Sequence, residues 1–182
     1  MSDTKNGARN RKHPDPAGRP GAPDPVPRAV PRYRVSIRQD VRPAPFHGGL
    51  LRRLVRRALK VLAVEGADLR ILVVGDAEME RWNRTFLGRA GTTTVISFPE
   101  EEAGKAPPSR LAGDILLSAR ACLDRTKSWP CSEEEKVFYF IVHGMLHLLG
   151  HDHEKGKTGA ARMRREEVQV YRSCLKEGRS PI

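Results

Sequence analysis

Cysteine is scarce: Cys122, Cys131 and Cys174 are odd in number and show no Cys-x-x-Cys spacing. This usage excludes a disulfide framework and predicts reduced thiols that serve for packing in a cytoplasmic protein. The sequence also lacks an N-terminal apolar run typical of a signal peptide, and it has no stretch long enough to span a bilayer. We therefore expect a cytoplasmic location and no membrane partner.

Acidic residues are in the minority, because 22 of them stand against 33 lysines and arginines, which makes the net charge +11. A surplus of this size attracts polyanions by long-range electrostatics. It favours a nucleic acid as partner, and it is also compatible with an acidic membrane surface or with simple solubility.

Large apolar side chains are almost missing from residues 1–31, which hold seven of the 14 prolines. Such a segment cannot bury enough surface to offset the entropy lost on ordering, so we expect a disordered, basic tail. The following residues, 32–178, are long enough for a single domain with a proper core.

The hydrophobic pattern predicts an α/β or α+β fold with helices packed on a four-stranded sheet. Strands are predicted for residues 33–38, 69–74, 91–98 and 112–118, and the second is expected to be buried on both faces. Helices are predicted for residues 49–64, from Asp76 through 86, after the fourth strand up to 127, from Ser132 towards Gly150, and for 159–177. Asp76 is expected to cap its helix, and Ser132 with Glu135 forms a capping-box pattern.

Four of the six histidines lie in residues 143–153, which read His-Gly-Met-Leu-His-Leu-Leu-Gly-His-Asp-His. His143 and His147 are four residues apart and thus share one face of a helix. Gly150 can adopt the left-handed conformation that ends the helix and lets His153 approach the same ion. Three imidazoles leave one coordination position open, which is typical of a catalytic zinc site.

The spacing His-x3-His-x2-Gly-x2-His is also that of the metzincin metalloproteases, which carry a general-base glutamate directly after the first histidine. This chain has Gly144 there. A metal-dependent hydrolase is therefore expected, but peptide hydrolysis by the usual proton relay is not.

The histidine motif resembles the signature of the YbeY family, bacterial endoribonucleases that act in ribosomal RNA maturation. Three further segments are similar in order and spacing: the Asn-x-x-Phe run at 83–86, Thr-Thr-Val-Ile-Ser-Phe-Pro at 93–99, and Gly-Asp-Ile at 113–115. The likeness covers roughly residues 69–155. It implies a mixed sheet with one antiparallel strand, a zinc cleft at the end of the histidine-bearing helix, and one Zn²⁺ bound by His143, His147 and His153.

The resemblance implies a zinc-dependent, single-strand-specific endoribonuclease that acts in rRNA processing, including maturation of the 16S rRNA 3′ end, and in ribosome quality control. Its partners would be single-stranded RNA and the small ribosomal subunit or its proteins. We expect zinc to lower the pKa of its water towards about 7 and to polarise a phosphoryl oxygen. The alternatives are an RNA-binding assembly factor with a structural zinc, or a metalloprotease-like hydrolase. Three imidazoles also accept nickel.

Two positions depart from the family pattern. Members commonly have an arginine soon after the aromatic residue of Asn-x-x-Phe and a lysine two residues later, where this chain has Leu87 and Arg89. Anchoring of the substrate then passes to Arg89 or Arg84, and Arg89 is the catalytic candidate. The usual Pro-Thr-Asp is Thr-Thr-Thr at residues 92–94, which removes a carboxylate.

Asp114 is the second catalytic candidate, as an acid able to accept a proton, although an aspartate at the start of a strand equally serves to bind backbone. Asp152 is expected to contact an imidazole of the metal site. His151 is interpreted as a substrate contact or a surface residue, and Ser97 as a cleft residue or an ordinary strand serine.

Overall fold

The computed structural model describes residues 32–100, 110–153 and 156–175. Within them the order of strands and helices is the predicted one. The elements are β1 (Arg32–Gln39), α1 (Gly48–Val61), β2 (Gly66–Val74), α2 (Asp76–Leu87), β3 (Val95–Pro99), β4 (Arg110–Ser118), α3 (Ala119–Arg125), α4 (Glu133–Leu148) and α5 (Lys157–Cys174). The predicted tail 1–31, residues 101–109 of the predicted loop, and the predicted end of the last helix beyond 175 lie outside the described residues.

The strands form one mixed sheet in the order β1-β2-β4-β3. β1, β2 and β4 run parallel, and β3 pairs antiparallel with β4 at the edge. Parallel neighbours require crossover connections, which α1 provides between β1 and β2, and α2 with β3 between β2 and β4. The expected mixed sheet with a single antiparallel strand is confirmed.

Most of the core lies on one face of the sheet, beneath α1, α4 and α5. Leu69, Ile71 and Val73 of β2 are buried on this face. The prediction that β2 is buried on both faces was wrong, because the opposite face has only a small cluster beneath α2 and leaves Arg70 exposed. Of the helices described, none combines the length and the apolarity needed to cross a bilayer.

Helix α4 is the central helix of the domain. Its predicted capping box is present: the Ser132 hydroxyl accepts from the Glu135 backbone, and the Glu135 carboxylate accepts from the Ser132 backbone. Ten of its 16 residues are buried, and each large apolar side chain among them stabilises the fold by roughly 1.5–3 kcal/mol. His143 and His147 are therefore mounted on a stiff support.

Some predicted boundaries differ from the structure for local reasons. α1 ends at Val61 instead of residue 64, and Ala63 has a left-handed φ of 54° that its residue type does not signal. Residues 91–94 are not part of β3. Asp76 does not cap α2, because Gly75 occupies the N-cap position and the Asp76 carboxylate accepts from the Ser118 hydroxyl at 2.8 Å.

The three cysteines are free thiols, as predicted, and Cys122 and Cys174 are buried. Burial raises the pKa of the Cys174 thiol to about 11. A thiol that stays protonated is a poor nucleophile, which agrees with a packing role.

Candidate metal centre

Three imidazoles meet where α4 ends. His143 and His147 lie one turn apart near the end of α4, and His153 follows in the next segment. Their ring centroids are 4.6, 5.0 and 5.3 Å apart, and one nitrogen from each ring lies within 4.8 Å of the other two. The three predicted ligands are therefore brought together in space.

The spacing of these nitrogens fits a transition metal. His143 Nε2 and His147 Nε2 are 3.0 Å apart, and two nitrogens on ~2.05 Å bonds at a tetrahedral angle would be ~3.3 Å apart. Burial, followed by the charges of His143 and His153, lowers the pKa of His147. The ring is then neutral at neutral pH, which metal ligation requires.

The turn after α4 is built by glycine, as predicted. Gly150 has a φ of 86°, and the backbone N–H of His151 donates to the Leu146 carbonyl at 3.0 Å, which closes the helix end. The His147 ring is hydrogen-bonded to the backbone of His151. The His151 ring lies 3.1 Å from Glu166 Oε2 and is not part of the group of three ligands.

Asp152 lines the same cleft as the three histidines. Its negative charge acts on His147 and opposes the lowering of that pKa. This places Asp152 near the ligands, and a direct contact to an imidazole stays a prediction.

Gly144 brings α4 unusually close to the sheet. A Cβ at this position would lie 2.9 Å from Ser97 Oγ and 3.0 Å from Ile115 Cδ1. The Ser97 hydroxyl donates to the Gly144 carbonyl at 3.2 Å, so this serine anchors the helix as well as lining the cleft. A glutamate in place of Gly144, as in the metalloproteases, would require Ser97 or Ile115 to shift.

A buried carboxylate that the sequence interpretation missed holds His143. Glu167 of α5 is 4% exposed, and its Oε1 accepts from His143 Nδ1 at 2.5 Å. Its Oε2 accepts from the Tyr139 hydroxyl at 2.5 Å, and that hydroxyl accepts in turn from Arg164. With the proton held on Nδ1, the His143 Nε2 keeps its lone pair for an ion, which is how carboxylates orient metal-ligating histidines.

The charge of Glu167 depends on these donors. Burial acts to raise its pKa, but the hydrogen bonds from His143 and Tyr139 together with the charges of His143 and Arg164 outweigh burial, and the pKa is lowered. A sequence signal existed, since Met163, Glu167 and Val170 share the buried face of α5 at helical spacing. A carboxylate on such a face requires a partner.

The histidines lie in a cleft of about 940 Å³. Leu87 and Arg89 line it, as do residues 93 and 94 of the substituted Thr-Thr-Thr segment. Arg84, the other sequence candidate for anchoring substrate, is not among the lining residues, and it pairs with Glu80 at 2.8 Å. Of the two arginines, Arg89 is the one placed at the cleft.

Asp114 lies on the face of β4 that points away from α4. Its neighbour Ile115 packs against α4 at Gly144, and successive side chains of a strand point to opposite faces. The Asp114 carboxylate binds the Arg70 guanidinium at 2.5 and 2.9 Å and does not line the cleft. Its catalytic role stays a prediction to which this geometry lends no support.

The chain resembles known proteins in family, in sequence and in structure. The family model described as Endoribonuclease YbeY matches residues 42–174. A protein of that name from Geobacter metallireducens is 31% identical over 148 residues, which cover 80% of this chain and 98% of the relative. Another, from Chloroflexus aurantiacus, is 38% identical over 124 residues, which cover 63% and 80%. A solution structure from Thermotoga maritima shares the fold, with a TM-score of 0.53 and 19% identity over 78% of this chain and 89% of the other.

Proposed function

Because the chain belongs to the YbeY endoribonuclease family, we propose that it is a metal-dependent endoribonuclease that hydrolyses phosphodiester bonds in single-stranded RNA. The observation that carries this proposal is the convergence of three imidazole nitrogens in a cleft that arginines also line. The net charge of +11 supports a polyanionic substrate.

His143, His147 and His153 are the proposed ligands of one divalent ion. We propose zinc, because three protein nitrogens and an open position are typical of catalytic zinc. When bound, the ion supplies Lewis-acid chemistry towards a phosphodiester. Glu167 keeps the His143 proton on Nδ1, so that Nε2 is ready to bind without a change of tautomer.

Three arginines that line the cleft are the proposed binders of substrate phosphates. Arg89 follows α2, Arg125 ends α3, and Arg164 belongs to α5. A guanidinium binds phosphate through paired hydrogen bonds, and its charge stabilises the charge that develops on the phosphoryl oxygens. Because Leu87 occupies the position of the family's arginine, Arg89 is the proposed catalytic residue among the three.

The finer biological role follows from family membership and is part of the proposal. It comprises rRNA processing, including the 16S rRNA 3′ end, and ribosome quality control, with the small ribosomal subunit or its proteins as partners. Reduced cysteines support a cytoplasmic location. We propose that residues 32–178 act as one hydrolase domain, in line with the family match to 42–174.

The two alternative functions, a metalloprotease and an RNA-binding assembly factor with a structural zinc, account for fewer features of the site. A metalloprotease needs a general-base glutamate after the first histidine, whereas this chain has Gly144 there, and even a Cβ at that position would require Ser97 or Ile115 to shift. A structural zinc is usually closed by four protein ligands, whereas the group found among the described residues has three and lies in an open cleft.

Single-turnover cleavage of a single-stranded RNA tests the proposal. The purified protein should cut the RNA, and both a chelator and His147→Ala should abolish cleavage while RNA binding persists. Cleavage that survives both treatments would come from a contaminating nuclease and would contradict the proposal. A casein digest under the same conditions tests for proteolysis, and metal analysis of protein purified without a histidine tag distinguishes zinc from nickel.

A further inference from the structure

Exposed apolar surface in the described part of the chain is concentrated beside the cleft. Three large hydrophobic side chains are exposed among the described residues, Val61 at 38%, Phe86 at 55% and Leu87 at 46%, and Val61, at the end of α1, does not line the cleft. Phe86 and Leu87 are neighbours at the end of α2, and Leu87 lines the cleft. A single exposed apolar residue is ordinary, but adjacent ones at the rim of a cleft are a feature of interaction sites.

Phe86 is the outer ring of a cluster of three, Trp82, Phe86 and Phe98, which we call the aromatic platform. Phe86 stacks on Trp82 at 5.0 Å with the planes 16° apart, and it meets Phe98 edge-on at 5.2 Å. Trp82 and Phe98 also pack on the small core cluster beneath α2, to which Phe86 does not belong. Covering the sheet therefore explains Trp82 and Phe98, whereas Phe86 packs on these two rings and is still 55% exposed.

The platform and the histidines lie on either side of the edge strand β3. Ser97 and Pro99 line the cleft, and Phe98 between them points to the opposite face of the sheet. β3 has five residues and, among the strands of the described residues, is the edge strand of the sheet. A nucleic acid strand that leaves the cleft over this edge therefore reaches the ring of Phe86.

The charges at this end of α2 suit a phosphate backbone. Arg84 and Arg89 flank Phe86 in the sequence, and both are exposed. Arg84 pairs with Glu80, but an exposed pair of this kind is weak and can give way to a phosphate. The other acidic residues of α2 are Asp76 and Glu78 in its first turn, and the Glu78 carboxylate accepts from the Trp82 indole and pairs with Arg81.

We propose that the aromatic platform is a subsite for an unpaired base of the substrate RNA, which stacks on the exposed face of Phe86 while Arg84 and Arg89 bind neighbouring phosphates. The subsite rests on the proposed endoribonuclease function and defines a part of the substrate beyond the scissile bond. A base inside a duplex cannot offer its face to a ring, so the subsite favours single-stranded RNA.

Single-turnover cleavage over a range of protein concentrations separates binding from chemistry. Phe86→Ala should raise the half-saturating protein concentration by roughly five- to 150-fold, the range expected for one lost base–aromatic stack, and leave the maximal rate close to wild type. Phe86→Trp should keep the wild-type value, whereas Phe86→Leu, apolar but without a ring, should behave like Phe86→Ala. Val61→Ala, which also removes exposed apolar surface, is the matched control and should change neither parameter.

A series of RNAs with one abasic nucleotide at successive positions locates the base. At the position that stacks on Phe86, loss of the base should weaken binding to the wild type but not to Phe86→Ala. Thermal unfolding of each variant confirms that the fold is intact.

The outcomes separate the subsite from the function on which it rests. If the wild type neither binds nor cleaves RNA, the proposed function fails and the subsite with it. If the wild type cleaves RNA and Phe86→Ala or Phe86→Leu has the same half-saturating concentration, the function stands and the subsite is overturned. The platform would then be a surface for a protein partner, not for RNA.

Discussion

The candidate metal site has two parts, a histidine pair on a helix and a third histidine after a turn, and the fold supports them differently. His143 and His147 stand on α4, a mostly buried helix, and Glu167 fixes the ring of His143. His153 lies outside the helices, is exposed, and reaches the site through the turn at Gly150. The helix thus holds two imidazole nitrogens in fixed positions, which define where a metal ion would bind. The turn brings the imidazole of His153 to the same place.

The turn has a support of its own in α5. A Cβ at Gly159 would lie 2.8 Å from the Asp152 carbonyl oxygen, next to His153 in the sequence. Glycines therefore permit both close approaches, Gly144 for the helix pair and Gly159 for the turn. Variants that disturb the helix pair but not the turn, or the turn but not the helix pair, test whether the two are supported independently.

The largest effect should come from the ligands. His147→Ala breaks the rigid pair, and we expect it to abolish RNA cleavage and to lower metal affinity by more than ~100-fold, which is more than the loss of an outer partner costs. His153→Ala should also abolish cleavage but retain weaker metal binding, because the pair on α4 remains. Metal titration of both variants measures the difference, and equal affinities would contradict the division between pair and turn.

The next effect concerns the carboxylate behind the pair. Glu167→Gln should weaken metal binding by ~10–100-fold, because the amide no longer holds the His143 proton on Nδ1 as a carboxylate does. Glu166→Gln is the matched control: Glu166 contacts His151 and Arg162 but none of the three ligands. If both variants bind the metal equally well, Glu167 does not orient the ligand.

A smaller effect is expected from the two glycines. Gly144→Ala should lower the free energy of unfolding by ~1–3 kcal/mol, because the added methyl group overpacks the contact with the sheet. Alanine is the better helix former, and this offsets about 1 kcal/mol of that loss. Gly159→Ala should instead weaken metal binding more than Gly144→Ala does, because Asp152 must shift beside His153. Urea unfolding and metal titration of both proteins distinguish the two effects, and the reverse pattern would refute this assignment.

The smallest effect should be that of Asp114→Asn. The change weakens the pair with Arg70, which is solvent-exposed and therefore contributes little to stability. Cleavage should stay close to wild type, whereas Arg89→Ala, at the cleft, should impair it clearly. A tenfold or greater loss of cleavage in Asp114→Asn would restore the sequence-based assignment of Asp114 to catalysis.

Much of the site was predictable because its determinants are local. The period of the α-helix aligns His143 with His147, and a glycine turn returns the chain at Gly150. The capping box of α4 and the order of the elements are equally local in origin, and both were predicted. The burial of β2 was mispredicted at Arg70, since the helices that cover a sheet are not encoded in the strand they cover.

The sequence by itself indicated the three candidate metal ligands and the family, because these depend on residue types at short, regular spacings, and the resemblance to the family implied the mixed sheet. Only the tertiary structure decided that Glu167, 24 residues after His143, supports that ligand, that Arg89 and not Arg84 lines the cleft, and that Asp114 faces away from it. The physical reason is that such contacts depend on how separate helices and strands pack against each other, and the side chains of one element alone do not specify that packing.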